Sequence, residues 1–269
     1  MMRHAARLTL ISLLLWANAV AAGAPTKITV IGDQSYPPFS FLDEGKPSGI
    51  YVDVLTKVFA QLPEYDIDIM MMPWRRGLAE IKNSRALAIF PPYYFPKERP
   101  YIGAYSIPIL TEHVVLMCDS SRVSGTQTLI WPQDFKRKRI TANKGYLLTP
   151  DFLQSIATNH MTHIEVSGAR SAIHMMLLNR ADCFMHAELP TRWELGQLTK
   201  EQPELEKKLT TLHFTGTQIG QSGYIGYSAD TVRYPFRDQF RAKVDRVLKA
   251  LIANGEIQSI IDRYRNQLP

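Results

Sequence analysis

Apolar runs of strand length alternate along this chain with segments of helical periodicity, and that alternation restricts the fold more than any other feature. Lys27 to Ile31, Ile67 to Met72 and Ala86 to Phe90 are β-branched or apolar runs bounded by turn residues, the pattern of buried strands. Between them, Leu55, Val58, Phe59 and Leu62 recur at helical spacing from a start near Asp53, and Pro63 ends that helix. A second helix opens at Pro73-Trp74-Arg75-Arg76-Gly77, with Leu78 and Ile81 facing inward. The order β-α-β-α-β predicts a parallel sheet with right-handed crossovers.

A second series begins after a strand at Val114 to Met117. Strands at Ile140 to Ala142, Ile164 to Val166 and Ala181 to Met185 alternate with helices around Phe152 to Ile156 and Ile173 to Leu178. A polar helix at Pro190 to Gln202 and strands at Leu212 to Phe214 and Gly220 to Tyr227 follow. The chain ends in two amphipathic helices with Asn254-Gly255 between them. Phe236, Phe240, Val244, Val247, Leu248 and Leu251 line one; Ile257, Ile260, Ile261 and Tyr264 line the other. Neither has a strand of the second series to cover, so both are expected back on the first sheet. The chain then crosses twice, near Glu112 to Val115 and near Ser222 to Tyr227. The predicted fold class is α/β with two lobes, residues 23–112 plus 224–269 and residues 113–223, able to close over a ligand by a hinge.

The stretch Phe90 to Pro108 holds five prolines, which exclude a helix interior and most strand interiors. It is a rigid loop directly after a strand end, where open α/β sheets place ligands. It carries Tyr93, Tyr94, Phe95, Tyr101 and the guanidinium of Arg99, and reads either as one wall of a small-molecule pocket or as a ring-covered surface loop. Tyr36-Pro37-Pro38-Phe39 forms a similar aromatic loop after the first strand. Trp74, at a strand-to-helix junction, reads either as closing the core or as stacking on a ligand, and the rigidity of Pro73-Trp74 favours the second.

Residues 1–22 read as a signal peptide: Arg3 and Arg7, an apolar run from Leu8 to Trp16, then small residues from Ala17 to Ala22. The run is shorter than a membrane span needs, so a free periplasmic protein is expected. The formal charge of +6 falls by two without Arg3 and Arg7. The basic residues are scattered apart from Lys136 to Arg139, and no nucleic-acid motif accompanies that run. Cys118 and Cys183 fit either one structural disulfide or two buried thiols. His160 and His163 have no further metal ligand at usable spacing, and adjacent residues of Met70-Met71-Met72 point to opposite faces of a strand. No metal or cofactor is expected.

Taken in order, four landmarks resemble the amino-acid-receptor type of extracytoplasmic solute-binding protein, family 3, the bilobal receptors that serve ABC importers. They are Ile31-Gly32-Asp33 with Tyr36-Pro37-Pro38-Phe39; Gly49 to Asp53; Lys97-Glu98-Arg99 with Tyr105-Ser106-Ile107-Pro108; and Tyr224 to Ser228 followed by the terminal helix pair. The resemblance covers the whole chain after the signal and implies a periplasmic-binding-protein type II fold, acting as a monomer with a small-molecule ligand and an ABC permease as partner. It implies that Arg99 grips a carboxylate, that Tyr36 and Phe39 pack on the solute, and that backbone donors at Gly145 cap the carboxylate from the second lobe. Asp33, Trp74, Tyr94 and Tyr146 complete the expected site.

Two departures stand out. Pro91, Pro92, Tyr94 and Pro96 replace the family's hydroxyl residues, and Ala187 stands where amino-acid receptors place the aspartate that holds an ammonium. His186 and Glu188 flank Ala187 but are expected to point the other way. The predicted solute therefore carries a carboxylate or another polar group on a flat or apolar body. Two alternatives of different class remain: a dehydratase-like enzyme on the same scaffold, with Asp33, Glu188 or His186 as acid or base, and a soluble sensor that presents its ligand to a membrane partner. Neither a nucleophile elbow nor a nucleotide loop favours the enzyme.

Overall fold

The computed structural model describes residues 24–123 and 129–267. The expected signal peptide lies outside the described residues. Among them, no helix is long and apolar enough to cross a membrane.

The first lobe is built on a five-stranded sheet. Strands β1 (Thr26–Asp33), β5 (Tyr65–Met72) and β6 (Ala88–Phe90) pair in parallel in the order β5-β1-β6. A small antiparallel sheet, β2 (Ser35–Tyr36), β3 (Ser40–Asp43) and β4 (Lys46–Ser48), interrupts the first connection. Helix α1 (Ile50–Phe59) starts three residues before the expected point, at Gly49, where a side chain would collide with the Phe39 carbonyl. Helix α2 (Trp74–Lys82) returns the chain to β6.

Beyond β6 the sheet turns antiparallel. Strand β7 (Ile102–Tyr105) pairs with β13 (Gly226–Ser228), and β13 pairs with β6. The terminal helices α7 (Arg237–Ala253) and α8 (Glu256–Arg265) bury Phe240, Val244, Leu248, Ile257 and Ile260 against Ile28, Val30 and α1 residues. Their apolar stripes thus complete the core of the first lobe.

The second lobe has its own sheet in the order β10-β9-β11-β8-β12. It comprises β8 (Leu110–Asp119), β9 (Arg139–Asn143), β10 (Thr162–Val166), β11 (Cys183–Ala187) and β12 (Leu212–Gly223). Helices α3 (Pro150–Ala157), α4 (Ala169–Leu177), α5 (Glu188–Glu201) and the short α6 (Glu206–Leu209) cover it. Helix α3 is capped by Thr149, whose hydroxyl accepts from the Phe152 amide at 3.1 Å. Cys118 and Cys183 face each other across β8 and β11 and form a disulfide, which decides between the two readings left open above. Arg139 of the basic run is tied to Asp182 by an ion pair at 2.7 Å.

The chain leaves the first sheet after Tyr105 and enters the second at Leu110. That crossing lies upstream of the expected Glu112 to Val115, because β8 begins pairing with the end of β12 as soon as the proline loop ends. The return crossing occupies Tyr224 and Ile225, between β12 and β13.

Candidate functional site

Loops at the carboxyl ends of the parallel strands bring one group of side chains together between the lobes, as open α/β sheets do. Asp33 ends β1, Tyr36 ends β2, Trp74 opens α2, and Pro91, Tyr93 and Arg99 come from the loop after β6. Tyr146 and Leu147 come from the loop after β9 in the other lobe. These eight residues line one pocket whose cavity volume is about 20 Å³. That is room for little more than one water, so a solute enters only when the rings or lobes part.

Arg99 is buried, 3% exposed, yet among the described residues no carboxylate lies within ion-pair distance of it. Its Nη2 donates to the Gly145 carbonyl of the opposite lobe at 2.9 Å, and its guanidinium lies 5.4 Å from the centre of the Trp74 ring. Burial pulls the guanidinium below its ordinary value, opposed by Tyr101, Tyr105 and Glu98; it stays charged all the same. The Trp74 indole donates to the same Gly145 carbonyl at 3.3 Å. Gly145 adopts a left-handed φ of 77°, which a glycine takes without strain.

Asp33, 2% exposed, accepts the Tyr146 hydroxyl at 2.6 Å and the Ser35 amide at 2.9 Å. Burial pushes its carboxyl up to about 6 despite those two hydrogen bonds. The Tyr146 ring stands edge-on to Tyr36 and Trp74 and stacks on His186 at an interplanar angle of 16°. Burial drives the His186 imidazole down to about 3, so it is neutral at physiological pH.

Six of the eight expected residues therefore meet in the cleft: Asp33, Tyr36, Trp74, Arg99, Gly145 and Tyr146. Phe39 does not line it. Its ring packs behind Tyr36 and against Tyr51, inside the core of the first lobe. Tyr94 is turned outward, 58% exposed, and packs on Tyr105 and Tyr224. Tyr93 takes the inward place instead, because neighbouring side chains of an extended segment diverge.

Gly145 also differs from expectation. Its N–H donates to Glu165 at 3.4 Å, and its carbonyl, an acceptor, is what faces Arg99. His186 turns toward the cleft rings, meeting Tyr36 edge-on at 5.3 Å, whereas Ala187 on the opposite face of β11 joins the core of the first lobe. Glu112, which the sequence marks only as one end of the first crossing, also belongs beside the site, and an acid at an inward position of an alternating strand is the signal for it. It is 2% exposed and accepts hydrogen bonds from Tyr36, Tyr51 and Tyr93.

The model of the bacterial extracellular solute-binding proteins, family 3, matches residues 28–267. The chain belongs to that family. No curated protein sequence matches it. Solved structures share the two-lobed α/β fold of this family 3 protein. A histidine kinase sensor domain with similarity to periplasmic binding proteins has a TM-score of 0.68 at 16% identity, over 89% of this chain and 96% of that one. GshT of Streptococcus mutans, described in glutathione import, has a TM-score of 0.68 at 17% identity, over 91% and 96%. The arginine-, lysine- and histidine-binding protein ArtJ of Geobacillus stearothermophilus has a TM-score of 0.64 at 19% identity, over 91% and 97%. At such identities the likeness is one of fold.

Proposed function

We propose that this family 3 protein is a periplasmic receptor that shuts its two lobes on a small carboxylate-bearing solute and delivers it to an ABC importer. One observation carries the reading: the buried guanidinium of Arg99 faces the inter-lobe pocket and has no acid of the described chain to pair with. A buried charge needs a partner, and a planar guanidinium fits a carboxylate through two parallel hydrogen bonds. The rings of Tyr36, Trp74, Tyr93 and Tyr146 suit a flat or apolar body beside that anionic end. GshT, described in glutathione import, and ArtJ, described as an arginine-, lysine- and histidine-binding protein, are similar in fold, in keeping with a carboxylate ligand.

Native mass spectrometry of protein purified from periplasm tests this directly. The expected spectrum shows a protein beginning after the signal peptide, monomeric, with a bound small molecule that carries a carboxylate and is lost from Arg99→Met. A retained molecule without an anionic group, or one held equally by Arg99→Met, refutes the assignment.

An enzymatic reading has one feature in its favour. Asp33 sits in the pocket with its carboxyl at about 6, within the range of a working acid or base. Conversion of the bound molecule over time in the same spectrometer distinguishes that case from carriage.

A further inference from the structure

Glu112 lies outside the cleft pocket, yet it touches two of the pocket's walls. It is the third residue of β8, just past the first crossing between lobes, and lies opposite Gln221 of β12. One carboxylate oxygen accepts the Tyr51 hydroxyl. The other accepts Tyr36 and, at 2.6 Å, Tyr93. All three tyrosines belong to the first lobe. Among the described residues, no lysine, arginine or histidine forms an ion pair with Glu112; burial raises its carboxyl above the ordinary value, and these three hydroxyls are what opposes that rise.

The cluster also reaches the second crossing. A Cβ on Gly223 would lie 1.7 Å from the Tyr51 oxygen, so only glycine leaves room for that hydroxyl. The carboxylate is thus held from one lobe, between both connecting strands, with little freedom to turn.

This arrangement has a consequence for the cleft. A tyrosine hydroxyl has one proton to give and two lone pairs to receive. Tyr36 and Tyr93 commit their protons to Glu112, and Tyr146 commits its own to Asp33. The Trp74 N–H faces the Gly145 carbonyl. Among the side chains lining the pocket, Arg99 alone keeps N–H groups to spare, since one of its five meets Gly145. Tyr36 and Tyr93, which line the same pocket, therefore have no hydroxyl proton left to offer a solute there.

We infer that Glu112 is a specificity-determining positioning residue: by holding the hydroxyl protons of Tyr36 and Tyr93 away from the cleft, it makes their part of the pocket wall an acceptor. A solute gripped at Arg99 by its carboxylate then places a hydrogen-bond donor at its far end, and a second carboxylate there is rejected. The inference rests on the receptor reading of the cleft.

The test uses three probes that share a carboxylate on a four-methylene chain and differ at the far end, which is an ammonium in δ-aminovalerate, a methyl in caproate and a second carboxylate in adipate. Dissociation constants are measured by calorimetry on the full mature protein and on variants shown by circular dichroism to be folded. Wild type is expected to favour δ-aminovalerate over adipate by tenfold or more. Glu112→Leu releases both hydroxyl protons and should cut that ratio at least tenfold, through tighter adipate binding. Adding Tyr36→Phe and Tyr93→Phe to Glu112→Leu removes the released donors and should weaken adipate again, which a merely structural effect would not do. Glu112→Gln keeps the side chain's shape and should shift the ratio in the same direction by less, so the question stays answerable if Glu112→Leu does not fold. Equal weakening of all three probes in both Glu112 variants overturns the inference. Failure of every probe to bind wild type, or unchanged affinities in Arg99→Met, overturns instead the reading of the cleft beneath it.

Discussion

The Tyr146 hydroxyl of the second lobe donates to the Asp33 carboxylate of the first across 2.6 Å. This bond lies beside the bonds that Arg99 and Trp74 give to the Gly145 carbonyl, and like them it ties one lobe to the other. It also buries an acid without a cation in contact, which makes the closed arrangement sensitive to protonation.

For Asp33 the sign follows from its folded value of about 6 against an ordinary 3.8. The folded protein holds this proton more tightly than the unfolded chain does, so the contribution to stability is full below about pH 4 and declines as pH rises through about 6. Relative to Asp33→Asn, wild type should gain stability by up to about 3 kcal/mol on going from about pH 7 to about pH 4. Paired urea denaturation curves measure the difference, and a gain toward alkaline pH contradicts it.

Arg99→Met keeps the length of the side chain and removes its charge and donors. Binding of the native solute should weaken by about two orders of magnitude, roughly 3 kcal/mol, because the solute's carboxylate is then buried unpaired. Calorimetry reads the change. A loss below about threefold means that the carboxylate sits elsewhere.

Gly223→Ala forces its methyl group into the Tyr51 hydroxyl. Displacing that ring from Glu112 should cost about 1–3 kcal/mol of stability, in the range of other overpacked sites. Combining it with Tyr51→Phe should not relieve the strain fully, since the ring carbon Cζ also lies 2.6 Å from the added methyl. Thermal unfolding of the three proteins tests both statements.

The Cys118 to Cys183 disulfide closes a separation of 65 residues within the second lobe. Chain-entropy reasoning gives it about 4 kcal/mol of stabilisation. Cys118→Ala combined with Cys183→Ala should lower the unfolding midpoint of this lobe accordingly, while leaving the Arg99 side of the cleft, which belongs to the other lobe, intact. An unchanged midpoint in denaturant excludes the effect.

Much of the fold was legible in the residues because secondary structure leaves a local trace. The alternation of Lys27 to Ile31, Ile67 to Met72 and Ala86 to Phe90 with helical stripes marked the parallel strands now seen as β1, β5 and β6. The unclaimed stripes of Phe240, Val244 and Ile260 pointed back to the first lobe, where they lie. Arg99 and Tyr36 stood out for a similar reason, since rigid proline-bounded loops after strand ends are readable in order along the chain.

The sequence by itself therefore determined two α/β lobes, the loops between them and the presence of one guanidinium there, since each follows from patterns a few residues long. Only the tertiary structure decided which groups answer one another. Tyr93 rather than Tyr94 faces inward, Gly145 turns its carbonyl to Arg99, and Glu112 gathers three hydroxyls. Tyr36 and Glu112 are 76 residues apart and Asp33 and Tyr146 are 113 apart. Hydrogen-bond direction across such separations is set by packing and burial, which no local pattern encodes.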